Sequence, residues 1–265
     1  MKSAHFALMF GTILYAGNVL ASNCVQMPDC QSLGFTKTES ECSGKPTVFC
    51  PTDKSKAFCS TNSNEKIETP LPILFGDGTV SNKLLTGKTP IGIVFDETNH
   101  LAVALTDVKK DGSAGSETMF WSNSICNVSN ITDCGMPNTD FNSCGEDGKI
   151  NTAGMLMCGC CHGTPAATAC YRFEPIGCSK DFCKKGKWFL PSMKELQNIY
   201  LLRQQINTSL TLLKDFESQT IDNNYYWSST ERNQATAWLL LMGTGYKTDF
   251  DKNGHNEYVR PVVSF

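Results

Sequence analysis

The order of its elements predicts an α+β fold for this chain. Short apolar runs come first, then a cysteine-rich stretch with no sustained period, then two helical patterns, then apolar runs again. Strands and helices are segregated rather than alternating. The 14 cysteines among 265 residues add a second constraint. That number reads as a set of disulfides made in an oxidising compartment. Third, 40% hydrophobic residues suffice for a core and exclude wholesale disorder. The charge balance is 23 basic against 26 acidic residues, a net of −3. Phosphate binding needs a concentrated basic excess, so no nucleic-acid partner is expected.

The N-terminus explains how the thiols oxidise. Lys2, the apolar residues 6–16 and the small Ala21 after Val19 and Leu20 have the pattern of a signal peptide, residues 1–21. Gly17 and Asn18 break the apolar run before it reaches bilayer length. No later stretch is long and apolar enough for a transmembrane segment. A lipid anchor on Cys24 would want a Leu and a small residue just before it, where Ala21-Ser22-Asn23 stands. The expected location is the periplasm, the cell surface or the extracellular space.

The chain then divides. Residues 22–60 form a small Cys-rich module holding Cys24, Cys30, Cys42, Cys50 and Cys59. It has too few large apolar residues to fold without bridges. Residues 61–88 are a connector, most polar over 61–70. Residues 89–265 form the main domain and hold nine cysteines, all within 126–183. Five and nine are both odd, so full pairing needs a bridge between the groups. The alternative, an exposed free thiol, is a liability in an oxidising compartment.

Within the main domain, the apolar runs 91–95 and 101–105 flank a polar turn and predict a hairpin. Residues 119–121 are expected to end another strand. Residues 122–186 read as a long disulfide-pinned loop region. Ser192 and Glu195 form a capping box, after which Leu196, Ile199 and Tyr200 recur at helical spacing. Ile206, Leu210 and Leu213 continue as a second helical face. Residues 225–227 and 237–242 read as strands. Residues 246–250 and 258–265 read as a last hairpin around Asn253-Gly254. Trp121, Trp188, Trp227 and Trp238 all lie in or beside apolar runs and are expected in the core.

Cys158-Gly-Cys-Cys161-His162 fits the C-x-x-C-H pattern of haem attachment, and its thiolates could also hold zinc. Seven other cysteines share the segment, and an oxidising compartment favours bridges, so no cofactor is expected. Asp249, Asp251, Asn253 and Gly254 open like a calcium loop. The twelfth position is Arg260 rather than a bidentate Glu, so a plain polar hairpin is the simpler account. G-x-S-x-G, P-loop and H-E-x-x-H motifs are absent, and the histidines are scattered. No catalytic set is expected, and the chain does not read as an enzyme. The polar residues of the last hairpins are the candidate ligand surface: Arg232, Asn233, Gln234, Thr248, Asp249, Asp251, Asn253, His255 and Asn256. Polar loops on a rigid Trp/Leu scaffold are a common way to build a binding module. An ordinary wetted surface is the competing account.

Four segments occur in series: Trp188-Phe-Leu-Pro-Ser-Met-Lys-Glu-Leu196, Tyr226-Trp-Ser-Ser-Thr-Glu231, Ala237-Trp238 and Val259-Arg-Pro-Val262. Together they resemble the Lcl C-terminal domain family of bacterial exported proteins. The match covers 187–265 well and 89–121 more loosely. The resemblance implies a C-type-lectin-like fold, as in some bacterial adhesins, whose last strands and loops carry the binding surface. That implies a non-catalytic adhesion role toward an extracellular protein or glycan ligand. The EPN or QPD and WND triplets of calcium-dependent sugar binding are missing. So is any cysteine after Cys183, which the formylglycine-generating oxidases of the same broad fold require.

Overall fold

A computed structural model describes residues 47–49, 55, 57–59, 69–135 and 139–265. The signal peptide and Cys24, Cys30, Cys42 and Cys50 lie outside the described residues. Strands β1 (Thr47–Phe49) and β2 (Ala57–Cys59) pair antiparallel as a two-stranded sheet. Then come β3 (Ile73–Phe75), β4 (Val80–Ser81), β5 (Pro90–Asp96) and β6 (Leu101–Ala104), followed by helices α1 (Gly148–Leu156) and α2 (Pro165–Arg172). Next are β7 (Trp188–Phe189), α3 (Met193–Leu201) and α4 (Arg203–Leu212). The chain closes with β8 (Tyr225–Glu231), β9 (Thr236–Leu241), β10 (Tyr246–Asp251) and β11 (Val262–Ser264).

This is the α+β class. A six-stranded antiparallel sheet has the order β4-β3-β5-β6-β11-β7, and a three-stranded one the order β10-β9-β8. β3 and β4 come from the stretch 61–88 and pair into the larger sheet through β5. β6 shows why the apolar runs are nearly continuous. Ala102 and Ala104 face a core shared with Met155 of α1 and Ala166 and Ala169 of α2, while Val103 faces one shared with Leu196 of α3 and Ile206 of α4. A sheet buried on both faces loses the apolar/polar alternation. Each fully buried Val, Leu or Ile contributes about 1.5–3 kcal/mol.

The expected hairpin is β5–β6, with Asp96 Oδ2 accepting from Asn99 Nδ2 at 2.7 Å inside its turn. The capping box is complete: Ser192 Oγ accepts from Glu195 N–H, and Glu195 accepts from Ser192 N–H at 2.7 Å. All four tryptophans are buried. Each indole N–H donates to a backbone carbonyl: Trp121 to Ser228, Trp188 to Cys183, Trp227 to Met119 and Trp238 to Cys134. Three of those carbonyls lie outside the strands and α-helices, so the tryptophans fasten irregular segments to the sheets.

Three expectations need correction. Residues 119–121 end no strand; Met119 makes one isolated bridge, to Glu257. The stretch 122–186 contains α1 and α2. α1 buries Gly148, Asn151, Thr152 and Gly154 along with Met155, so its inner face is small and polar and leaves no apolar period. Gly148 is needed there, because a Cβ would stand 2.4 Å from the Glu195 carboxylate and 2.6 Å from the Leu190 carbonyl. Finally, β10 pairs with β9, while β11 joins the larger sheet between β6 and β7. A tight hairpin at Asn253-Gly254 would need positive φ at both residues, and neither has it.

The expected bridge between the two cysteine groups falls on residues outside those described; the nine cysteines of 126–183 are all placed. Cys134–Cys144 and Cys178–Cys183 are bridges with Cα atoms 5.8 and 5.7 Å apart. Cys126, Cys158, Cys160 and Cys161 cluster. The ninth cysteine, Cys170, is a free thiol buried in α2, and burial pushes its pKa well up.

Arg260 and Asp107 form a buried ion pair at 3.1 Å. Arg260 also donates to the carbonyls of Ala104, Leu105 and Gln219 at 3.0, 2.8 and 2.7 Å. Asp107 also accepts from Tyr226 at 3.3 Å. Arg260→Met strands a buried carboxylate and three carbonyls. We expect it to lose about 3–5 kcal/mol, read as a lower urea midpoint at unchanged m-value.

Candidate functional site

The candidate ligand residues gather at one end of the three-stranded sheet. Thr236, opening β9, stands opposite Asp251, closing β10. The Lys252 N–H donates to the Ala235 carbonyl at 3.0 Å. The β8–β9 turn and the turn after β10 therefore form one rim. Some of the nine residues build it. Asn233 Oδ1 accepts from the N–H groups of Ala235 and Thr236 at 2.8 and 2.9 Å, closing the turn. Arg232 pairs with Asp249 at 2.8 Å, its guanidinium carbon 6.0 Å from the centre of the Trp238 ring. The Arg232 Nε hydrogen has no acceptor among the described residues.

Others are presented to solvent. Gln234, Asp251, Asn253, His255 and Asn256 are exposed. The His255 ring stacks on Phe250 at 4.3 Å. Strand alternation separates the rest: Thr248 shares a face of β10 with Phe250, while Asp249 and Asp251 share the other. The first two positions of the calcium-like series thus lie along a strand, with Asp249 held by Arg232.

Beneath the rim lies a feature that sequence reasoning missed. Glu231, the last residue of β8, and Lys252, just after β10, are in contact and have no exposed side-chain surface. Lys252 Nζ also donates to the carbonyls of Cys126 and Gln234 at 2.7 and 3.1 Å and lies 4.8 Å from the centre of the Trp121 ring. The Glu231 carboxylate accepts from the Val128 N–H at 3.2 Å. The Lys252 carbonyl accepts from the N–H groups of Trp121 and Ser122 at 3.0 and 3.1 Å. Burial pushes the Glu231 carboxyl up and the Lys252 ammonium down, and each is opposed by its partner. No sequence signal marks the pair, since a Lys between Asp251 and Asn253 reads as part of a wetted turn.

The same buried pair fixes the loop carrying Cys126, which brings the sulfur cluster next to the rim. The Sγ atoms of Cys126, Cys158, Cys160 and Cys161 all lie within 4.8 Å of one another. Cys126 and Cys161 are buried, Cys158 is half-buried and Cys160 is exposed. Among the described residues this is the one group able to share an ion. The C-x-x-C-H thiols face each other, and Cys161 is enclosed in the core.

No family model matches the chain, and no curated protein sequence matches it. A solved fimbrial protein from Bacteroides ovatus is similar at a TM-score of 0.48 and 18% identity, over 73% of this chain and 48% of that one. The chain thus spans about half the length of that protein.

A separate cleft of about 470 Å³ is lined by Asp96, Asn99, Glu146, Asp147, Lys194 and Glu195, among others. Its charges are largely internally engaged: Lys194 pairs with Glu146 at 2.7 Å, and Glu195 caps α3. Burial lifts the Glu195 carboxyl from its ordinary 4.5 to about 7.

Two outcomes follow for variants. Lys252→Met should cost about 3–5 kcal/mol by leaving Glu231 buried and unpaired, and adding Glu231→Gln should recover part of that loss. Chemical denaturation of both variants checks this. For Glu195, the folded chain keeps its proton over a range where the unfolded chain has lost it. Its stabilising contribution is full below about pH 4.5 and declines as pH rises to about 7, by on the order of 3 kcal/mol. Glu195→Gln should flatten that part of the stability–pH curve.

Proposed function

We propose that this chain is an exported, disulfide-stapled binding or adhesion protein, non-catalytic, whose ligand surface is the rim formed by the β8–β9 turn and the residues after β10. We further propose that it belongs with the Lcl C-terminal domain family and has a C-type-lectin-like fold, on the strength of the four motif segments. One observation carries the binding reading. Exposed Gln234, Asp251, Asn253, His255 and Asn256 stand together on a base locked by Asn233, the Arg232–Asp249 pair and the buried Glu231–Lys252 pair. A rim of adaptable polar groups on an immobile base loses little entropy on meeting a ligand. The ligand class is an extracellular protein or glycan. The bridges Cys134–Cys144 and Cys178–Cys183 support export. Among the described residues no helix is long and apolar enough to cross a membrane.

The alternative is a haem- or metal-carrying redox protein using the C-G-C-C-H segment. The four gathered sulfurs favour its metal branch. A visible absorption band or a stoichiometric metal in protein from its native host would favour it over the binder.

The binding reading is tested on glycan and protein arrays with native bridges intact. We expect a restricted set of ligands. Combined His255→Ala and Asn256→Ala should weaken capture at least several-fold without moving the melting temperature. Undiminished capture by that variant would move the site elsewhere, and no capture by the native chain would remove the proposal.

A further inference from the structure

We infer that Cys158 and Cys160 form a thiol–disulfide exchange couple, seated on the buried sulfurs of Cys126 and Cys161, that acts on low-molecular-weight disulfides. The other described cysteines of the main domain are settled: two bridges with one partner each, and a thiol sealed in α2. The cluster is not settled in this way. The Sγ atoms of Cys126, Cys158, Cys160 and Cys161 all lie within 4.8 Å of one another, so any one bridge among them leaves further sulfurs beside it. Cys158 is also 3.4 Å from Cys160 and 3.6 Å from Cys126. Exchange proceeds by attack of a thiolate on a disulfide sulfur, so it requires neighbouring sulfurs and a way in from solvent. The cluster has both, because exposure falls from Cys160 through Cys158 to the buried pair.

The backbone around the couple suits this use. Cys158 and Cys160 flank Gly159, where a Cβ would meet nothing within 4 Å. Ser124 Oγ donates to the Cys160 carbonyl and Asn123 Nδ2 to the His162 carbonyl, each at 2.8 Å, so the segment is held from one side and open on the other.

With Cys126 and Cys161 bridged, the Cys160 thiolate attacks a disulfide R–S–S–R, forming Cys160–S–S–R and releasing R–S⁻. The Cys158 thiolate then attacks the Cys160 sulfur, forming the Cys158–Cys160 bridge and releasing a second R–S⁻. The protons of the two thiols pass to the two leaving groups. Two electrons move from the dithiol to the external disulfide. An internal route also exists, in which the Cys158 thiolate attacks Cys161, forms the Cys158–Cys161 bridge and frees Cys126. This couple does not depend on the ligand rim, and its test is separate.

The test equilibrates the full chain in glutathione buffers of graded oxidised-to-reduced ratio, quenches with acid, alkylates, and maps peptides by mass spectrometry. Cys158 and Cys160 should titrate together while Cys134–Cys144 and Cys178–Cys183 stay bridged. Wild type should show only a trace of glutathione on Cys160. Cys158→Ser should raise that adduct to near-stoichiometric, and Cys160→Ser should abolish it. Near-UV circular dichroism checks that the variants fold; if Cys158→Ser does not, the wild-type titration decides alone. Equal adducts on wild type and Cys158→Ser, or a couple inert across the range, would overturn the inference. So would a bound metal that shields all four sulfurs from alkylation until a chelator removes it.

Discussion

Removing a carboxylate and an ammonium from water costs several kcal/mol each, and Glu231 and Lys252 are both fully withdrawn. That cost is offset only if the charges touch and their remaining hydrogen-bonding capacity is used. Lys252 therefore takes the carbonyls of Cys126 and Gln234, and Glu231 takes the Val128 N–H. These requirements draw the β8–β9 turn, the end of β10 and the loop around Cys126 to one point. The polar rim and the sulfur cluster are neighbours for this reason. Arg260 and Asp107 impose a similar constraint where β6 leaves the larger sheet.

Much of the scaffold was legible because its signals are local. The β5–β6 hairpin shows as two apolar runs around a polar turn. The start of α3 is written in Ser192 and Glu195. Each tryptophan is too large to leave in water. What stayed hidden is non-local. α1 buries small and polar residues because Gly148 must lie against the cap of α3, so no period marks it. The separation of β10 and β11 into different sheets follows from which strands they meet far along the chain. The rim residues were found as a composition of polar groups. Their division into an engaged base and an exposed set depends on partners such as Trp238 and Phe250, which spacing does not reveal. The contact of Cys126 with the Cys158–Cys161 segment crosses 32 residues of chain and leaves no motif.

The segments that carry the family resemblance are interior. Trp188, Ser192, Trp227, Ser228, Glu231, Trp238 and Arg260 are buried and hold elements together through specific hydrogen bonds. The motif therefore encodes a scaffold and is silent on the ligand. Among the candidate ligand residues, only Arg232 directly follows a motif segment, and it is partly committed to Asp249.

Among the described residues β10 ends the three-stranded sheet, with β9 on one side and no further strand beyond it. Such a margin invites lateral addition of another chain. Here it alternates Lys247, Asp249 and Asp251 along one face and remains largely accessible. Apolar segments gain little by zipping onto it. Molecules crowded side by side would keep their individual outlines and resist fusing into a continuous fibre.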